Sequence, residues 1–212
     1  MEVTLQNNNI QIKSLLKDYE LSWINNLDDL MLEISKPKAI VVDMNVYKLY
    51  KKNIDALEIE NIIIQESKEK LKNPNSVLSI CSKILNCNFK RGDLLLAIGG
   101  GIIQDIVTLA ASIIFRGIDW IYCPTTLLAQ ADSCIGGKSS INFEKWKNQL
   151  GNFYPPDHIF IYDGFLNTLS ESDIESGIGE IVKVHLLSGY ENVKKLESML
   201  CKFKTDKEIR KK

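Results

Sequence analysis

The sequence lacks the features that would tie the protein to a membrane or to nucleic acid. No apolar run reaches the ~18 residues needed to span a bilayer, and the first residues, MEVTLQNNNI, have neither a basic start nor an apolar core. The net charge of -1 leaves no excess of positive charge to attract nucleic acid. We therefore expect no signal peptide, no membrane or nucleic-acid partner, and a cytoplasmic location.

Cysteine and histidine are scarce, and neither residue type shows the spacing of a metal site. The five cysteines form no C-x-x-C pair, which predicts free thiols, several of them buried: Cys81, Cys87, Cys123, Cys134 and Cys201. Of the two histidines, His158 falls in a predicted strand and is interpreted as structural. His185 follows an acid and a lysine on a predicted helix but points to another face of it.

What the sequence does contain is an alternation of short apolar runs with helical patterns. Five runs predict strands, at residues 38–43, 61–65, 93–98, 120–123 and 158–162. The run at 93–98, DLLLAI, shows no alternation, which is typical of a strand buried on both faces of a parallel sheet. A stripe of Leu78, Cys81, Ile84 and Leu85 predicts a helix between these strands, and residues 102–115 predict another. The fold class is therefore α/β, with a parallel sheet and right-handed crossovers.

The character of the chain changes after the last predicted strand. Residues 173–187 and 191–203 read as helices with no strand between them. We expect an α/β domain over residues 1–163, and over residues 164–212 the beginning of a second, all-helical domain.

Three glycines follow the strand at 93–98 and open the next helix. Gly99, Gly100 and Gly101 could let a phosphate approach the helix N-terminus, with Asp105 one turn further on. They do not form a G-x-G-x-x-G fingerprint, so a tight turn that needs glycine for its geometry explains them equally well. Asp43 ends an earlier strand, where a carboxylate can accept from ribose hydroxyls or can cap a helix.

Other polar residues lie in loop-rich sequence or on the last helices. A Gly-Gly pair separates Asp132 from Lys138, and Lys147 with Asn148 adds a cation and an amide suited to a phosphate or carboxylate. Arg116 follows a buried helix, where a plain surface charge is the simpler interpretation. Glu180 and Lys183 are three residues apart on one helix face, which fits a solvated ion pair or a metal ligand beside a substrate-binding lysine.

Taken together, these segments resemble the 3-dehydroquinate synthase family of sugar phosphate cyclases. The resemblance is carried by GGGIIQD, RG, PTTLLAQADSCIGGKSSIN, KNQLGNFYPP, FLNTL and GEIVK, in that order, from Gly99 to Lys183. Before residue 90 the match is looser: Asp43, Asn45 and Lys68 fit, but Gln65 stands where the family usually has glutamate. Ala131 and Cys134 are milder departures.

The resemblance implies an NAD-dependent, metal-dependent lyase with a Rossmann-like domain and a helical domain. By position, NAD would be held by Asp43, Asn45, Lys68, Gly99, Gly100, Gly101, Asp105, Thr125, Thr126, Lys147, Phe165, Leu166, Asn167 and Thr168. A sugar phosphate would be held by Arg116, Asp132, Lys138, Asn148 and Lys183. Glu180 would be the first ligand of a divalent metal, zinc or cobalt. The resemblance leaves a homodimer open.

One departure from the family pattern concerns the metal. The family's other two metal ligands are histidines farther along the helical domain, and this chain has no histidine after His185. We therefore expect the chain to correspond to the N-terminal part of such an enzyme, without roughly its last third or more. Three alternatives stay open: another sugar phosphate cyclase, such as a sedoheptulose-phosphate cyclase, an inactive nucleotide-binding remnant, and an NAD-dependent polyol dehydrogenase.

Overall fold

The computed structural model describes residues 2–6 and 9–200, and an eight-stranded sheet forms its centre. The strands of this sheet are β1 (Glu2–Gln6), β2 (Asn9–Lys13), β3 (Tyr19–Trp23), β4 (Ala39–Asp43), β5 (Asn61–Gln65), β6 (Leu95–Gly99), β7 (Trp120–Pro124) and β10 (His158–Ile161). Strands β8 (Ile141–Phe143) and β9 (Trp146–Leu150) form a separate hairpin. Their order across the sheet is β1-β2-β3-β10-β7-β6-β4-β5.

The sheet is mostly parallel. Strands β3, β10, β7, β6, β4 and β5 pair in parallel, and β2 pairs antiparallel with both β1 and β3. Strands β4, β6 and β7 are buried at every position, as expected for strands covered on both faces. All five predicted strands are confirmed with small shifts of their ends.

Helices cover both faces of the sheet. The helices are α1 (Leu30–Glu33), α2 (Met44–Ala56), α3 (Pro74–Asn86), α4 (Gly101–Ile113), α5 (Glu171–Leu187) and α6 (Tyr190–Leu200). Helices α3 and α4 pack on the face that includes Val41 and Ala97, and α1 and α2 pack on the face that includes Val42 and Ile98. The two predicted helices before β7 are confirmed, and the Rossmann-like arrangement of alternating strands and helices is present.

The apolar stripe predicted for α3 is wrong in detail. The helix buries Val77, Ile80 and Ile84, whereas Leu78 is 60% exposed and Leu85 is 47% exposed. The prediction started the period one residue late, and an apolar residue on the solvent side of a helix is common enough to mislead it.

Beyond β10 the described chain continues without a strand. A 3-10 helix at Asp163–Thr168 leads into α5 and α6, which agrees with the predicted helices. The end of the second predicted helix and Cys201 lie outside the described residues. Phe165 is 1% exposed and belongs to the same core as Val42 and Phe160, so packing against the sheet continues past residue 163. The division into two domains stays a prediction.

The connections around β4 create a crevice at one edge of the sheet. From β4 the chain passes through α2 to the edge strand β5, whereas from β6, on the other side of β4, it passes through α4 to β7. Connections that leave in opposite directions open a gap at the carboxyl ends of the two strands, where ligands of such sheets bind. Here those ends are Asp43 and Gly99.

Two expectations from composition concern thiols and membranes. Cys123 and Cys134 are buried, Cys81 and Cys87 are half-buried, and all four are free thiols, as predicted. Among the helices of the described chain, none combines the length and apolar character required to traverse a lipid bilayer.

Candidate functional site

A cleft of about 360 Å³ lies at the crevice between β4 and β6. The beginnings of α2 and α4 and the 3-10 helix after β10 form its walls. Of the residues predicted to hold NAD, those that line this first cleft are Asp43, Asn45, Gly100, Gly101, Thr125, Thr126, Phe165 and Thr168. The strand order thus brings together residues that are more than a hundred positions apart in sequence.

The glycine triplet forms the turn between β6 and α4. A Cβ on Gly99 would lie 2.5 Å from Cγ1 of Ile103, and one on Gly100 would lie 2.9 Å from Cγ2 of Thr126. Gly100 caps α4 and carries no side chain that could pair with the first-turn amides of the helix. Tight packing therefore requires glycine at the first two positions, and the helix N-terminus opens on the first cleft; a phosphate at this turn stays a prediction.

Asp43 caps α2, and its role toward a ribose stays a prediction. Its Oδ1 accepts hydrogen bonds from the backbone N–H groups of Asn45 and Val46, at 2.7 and 3.0 Å, and so caps α2. Its Oδ2 accepts a hydrogen bond from the hydroxyl of Ser67. These three hydrogen bonds hold the carboxylate at the wall of the first cleft.

A second cleft of about 630 Å³ adjoins the first and shares Gly101, Ile102, Thr126 and Asp173 with it. Besides the shared Gly101 and Thr126, three predicted site residues line it, namely Asp105, Lys138 and Asn148. Asp105 was assigned to NAD, and its carboxylate contacts two other groups of the protein. Its Oδ1 accepts from the N–H of Ser140 at 2.8 Å.

Lys72 is the residue at the second cleft that sequence reasoning missed. It is only 8% exposed, and its Nζ donates to Oδ2 of Asp105 at 3.1 Å and to Oδ1 of Asn148 at 2.7 Å. Burial raises the pKa of Asp105 above its ordinary value, and the charge of Lys72 and the N–H of Ser140 act against that rise. A lysine buried to this degree needs such acceptors.

Several predicted NAD residues lie away from both clefts. Lys68, which lies four positions before the buried Lys72, is exposed and forms an ion pair with Glu66. Lys147 lies on β9, which is exposed at every position, and Asn167 is exposed as well. Gly99 and Leu166 are buried in the protein: the carbonyl of Gly99 accepts from the hydroxyl of Tyr122, and Leu166 packs with Leu127.

Arg116 lies at the wrong end of α4 to serve the clefts of its own chain. Gly101, at the start of this helix, lines both clefts, whereas Arg116 is exposed and follows the helix C-terminus. At 1.5 Å per residue, the helix alone separates the two ends by about 20 Å. The surface-charge interpretation therefore fits Arg116 within one chain.

The other residues assigned to the substrate form a line of charges between a loop and α5. Nζ of Lys138 lies 3.7 Å from Oδ2 of Asp132, which sits in a π-helical turn at Ala129–Ser133. Lys183 pairs with Glu180, and this hydrogen bond, together with the more distant Asp132, raises the pKa of Lys183.

Helix α5 reaches this turn by close packing. A Cβ on Gly177 would lie 2.5 Å from Cγ of Leu127, just before the turn. Glycine at this position therefore lets α5 approach closely enough to place Glu180 and Lys183 near Asp132.

The described residues do not by themselves form a metal site. Across residues 2–6 and 9–200, no group of three or more His, Cys, Asp or Glu side chains is placed to hold a metal ion. Glu180 is engaged with Lys183, and Nδ1 of His185 is bonded to the carbonyl of Ile181 at 2.8 Å. His158 contacts the hydroxyl of Ser22 at 2.7 Å and stacks on Phe160, which agrees with a structural role.

Comparison with solved structures gives the class to which this arrangement belongs. The 2-epi-5-epi-valiolone synthase of Streptomyces hygroscopicus subsp. jinggangensis 5008, solved with NAD+ and Zn2+ bound, superposes with a TM-score of 0.76 at 30% identity over 82% of this chain and 51% of that one. The chain thus has the Rossmann-like α/β domain of sugar phosphate cyclases.

Within that class, the chain belongs to the 3-dehydroquinate synthase family. The family model described as 3-dehydroquinate synthase N-terminal matches residues 62–176. The 3-dehydroquinate synthase of Helicobacter pylori (strain P12) is 39% identical over 78% of this chain and 49% of its own length. That of Clostridium acetobutylicum is 39% identical over 81% of this chain and 48% of its own length. The chain therefore spans about half the length of these relatives.

Proposed function

We propose that this chain supplies the NAD- and substrate-binding part of a 3-dehydroquinate synthase. Such an enzyme is a lyase that converts a seven-carbon sugar acid phosphate (DAHP) into 3-dehydroquinate, with elimination of phosphate, on the way to the aromatic amino acids. The observation that carries the proposal is the pair of adjoining clefts at the point where the strand order reverses. The family membership and the names of the relatives support it.

NAD fits the first cleft by the chemistry of its walls. The diphosphate would meet the first-turn amides of α4, where a helix N-terminus favours an anion. Asp43 would accept hydrogen bonds from a ribose, since its carboxylate is fixed at the end of β4. When bound, NAD supplies a reversible acceptor for a hydride from a substrate hydroxyl. Thr126 and Gly101 line both clefts, so the cofactor and the substrate would meet beside these residues.

The sugar phosphate fits the second cleft. Lys138 and Lys72 offer cations and Asn148 offers an amide, which suit the oxygens of a phosphate or carboxylate. Asp132 would orient Lys138 through their ion pair. Lys72 was not among the residues predicted from the sequence, which assigned the nearby Lys68 to NAD; we propose Lys72 for the sugar phosphate because it lines the second cleft and Lys68 does not.

The metal stays a prediction for the complete enzyme. Catalytic zinc usually takes three protein ligands, and Glu180 is the only candidate among the described residues. The residues present do not fit a metal ion on their own, so none of the steps above depends on it. The cytoplasmic location stays an expectation from the composition of the sequence, and the homodimer rests on the resemblance alone.

Titration with NAD tests the proposal, with two glycine variants as a matched pair. A Cβ on Gly101 would meet only Oγ of Ser133 at an ordinary 3.7 Å, so Gly101→Ala should fold normally while crowding a ligand at the start of α4. Gly179→Ala, in open space on α5 and outside both clefts, is the control. We expect NAD affinity to fall about tenfold, or ~1.4 kcal/mol, in the first variant and to stay constant in the second. No saturable NAD binding by the folded wild-type chain would refute the proposal.

A second candidate, another sugar phosphate cyclase, is favoured by the 30% identity to 2-epi-5-epi-valiolone synthase. The two candidates differ in substrate: a 3-dehydroquinate synthase would take the seven-carbon sugar acid phosphate, and the alternative cyclase would take sedoheptulose 7-phosphate. Competition between these two compounds for the NAD-loaded chain would separate them. Stronger binding of the seven-carbon acid supports the synthase, and stronger binding of sedoheptulose 7-phosphate supports the alternative.

A further inference from the structure

Asn142, on β8, lies just outside the second cleft and contacts the segments that hold Lys72. It is not among the residues that line the cleft. Its backbone N–H donates to the carbonyl of Lys72 at 2.8 Å. Its side chain reaches two other segments, so the hydrogen bonds of this one residue connect the turn before α3 with both strands of the hairpin.

The side chain of Asn142 is fully used in one orientation. Nδ2 donates to the carbonyl of Glu69 at 3.2 Å and to Oε1 of Glu69 at 2.8 Å. Oδ1 accepts from the N–H of Asn148 at 2.9 Å. A flipped amide would set Nδ2 against that N–H and Oδ1 against the oxygens of Glu69, so only the observed orientation satisfies all partners.

Both residues held by Asn142 lie beside the amine of Lys72. Asn148 has a φ of 55°, a conformation that is uncommon for residues other than glycine, and its Oδ1 accepts from Nζ of Lys72 at 2.7 Å. Oε1 of Glu69 lies 3.8 Å from the same Nζ. The contact from Asn142 to the backbone of Asn148 therefore fixes the acceptor that faces Lys72.

We infer that Asn142 is a positioning residue, which holds Lys72 and Asn148 in place at the second cleft without touching a ligand itself. The inference rests on the proposed function for its consequence, the binding of an anionic substrate at that cleft. Its structural half, the restraint of Lys72, stands without any ligand. The two halves can therefore be measured separately.

The structural half is tested by acetylation of lysines in the folded chain, read by mass spectrometry. Lys72 is buried, and Lys70, two residues away, is exposed. The acetylation rate of Lys72 divided by that of Lys70 is therefore an internal measure of how well Lys72 is held. We expect Asn142→Ala to raise this ratio roughly fivefold, the factor that corresponds to one net hydrogen bond of ~1 kcal/mol. An unchanged ratio in a folded Asn142→Ala protein overturns the inference.

A reciprocal exchange guards against a merely structural effect. Asn142→Asp sets a carboxylate against that of Glu69 and should also raise the ratio. Adding Glu69→Gln supplies a donor to the new carboxylate, so the double variant should restore the wild-type ratio. Rescue supports the inference even if Asn142→Ala does not fold, and failure of rescue in a folded double variant contradicts it.

The functional half uses the seven-carbon sugar acid phosphate with the NAD-loaded chain. We expect Asn142→Ala to weaken its binding about tenfold, because a hydrogen bond near a charged group is worth ~1.5 kcal/mol or more. If the wild-type chain binds neither NAD nor the sugar phosphate while the acetylation ratio responds as expected, the proposed function fails and the positioning of Lys72 stands. If ligands bind and the ratio does not respond, the positioning role fails instead.

Discussion

The hydroxyl of Tyr19 accepts a hydrogen bond from the backbone N–H of Gly136 over 2.8 Å, between residues 117 positions apart. Tyr19 lies on β3 and is 2% exposed. Gly136 and Gly137 have φ values of 97° and 61°, and they precede Lys138. This contact ties the loop that carries Lys138 to strand β3 of the sheet.

The first prediction concerns the loss of this contact when one oxygen atom, the hydroxyl of Tyr19, is removed. Tyr19→Phe leaves the N–H of Gly136 without its partner, and one lost hydrogen bond is worth ~1 kcal/mol. We expect amide hydrogen exchange at Gly136 to quicken roughly fivefold while most of the sheet is unaffected. Tyr122→Phe is the control, because its hydroxyl donates to the carbonyl of Gly99 and not to this loop. Equal exchange at Gly136 in all three proteins would contradict the prediction.

The second prediction concerns the pH dependence of stability through Asp105. Burial raises the pKa of this carboxyl above its ordinary value of 3.8, so the folded protein holds the proton more tightly than the unfolded chain. The resulting contribution to stability is complete below 3.8 and is lost as the pH rises through the folded-state pKa.

Urea unfolding of the wild type and of Asp105→Asn, repeated from about pH 4 upward, measures this contribution. We expect the free energy of unfolding of the wild type to fall relative to the variant as pH rises. The slope should be at most ~1.4 kcal/mol per pH unit. A wild type that gains relative stability over the same range would show that the attraction of Lys72 outweighs burial.

The third prediction compares two glycines in the same helix. Gly177 faces Leu127, and a Cβ there would lie 2.5 Å from Cγ of that residue, whereas Gly179 faces open space. Alanine at either position improves helix propensity by ~1 kcal/mol. We expect Gly179→Ala to stabilise the protein, and Gly177→Ala to destabilise it by roughly 1–3 kcal/mol through overpacking. Thermal melting of both variants decides it, and equal shifts of the melting temperature would mean that α5 does not press on Leu127.

The middle of the sheet could be predicted from the sequence because β4, β6 and β7 are buried on both faces. The run DLLLAI is apolar after its first residue, and the run WIYC is apolar throughout. Both ends of each run lie within two residues of the ends of the observed strand. The hairpin of β8 and β9 was not predicted, because β9 is exposed at every position and its sequence, WKNQL, carries no apolar alternation. The first three strands were not predicted either.

The site was predictable where it follows the ends of buried strands, and less so elsewhere. Asp43 and the glycine triplet stand at such ends, and the structure places Asp43, Gly100 and Gly101 at the first cleft. Lys72 lies in a short turn whose sequence shows no hydrophobic periodicity, and several other lysines have similar surroundings in the sequence. Its acceptors, Asp105 and Asn148, come from α4 and β9, and only the folded chain brings them to it.

The fourth prediction decides which lysine of this turn serves the second cleft. Lys72→Met keeps the length of the side chain and removes the charge that faces Asp105 and Asn148. We expect it to weaken binding of the sugar acid phosphate at least tenfold, because a charged hydrogen-bonding group contributes ~1.5–3 kcal/mol. Lys68→Met is the matched control, because Lys68 is exposed and forms its ion pair with Glu66, away from the second cleft.

Stability has to be separated from binding in this comparison. Lys72→Met leaves the buried carboxylate of Asp105 without its cation, which should cost ~1–3 kcal/mol of unfolding free energy. Adding Asp105→Asn removes that unpaired charge and should recover much of the stability, while the affinity for the sugar phosphate stays low. If the double variant regains affinity together with stability, Lys72 serves only the fold. If Lys68→Met weakens binding of the sugar phosphate as much as Lys72→Met, the assignment of Lys72 made from the second cleft is wrong.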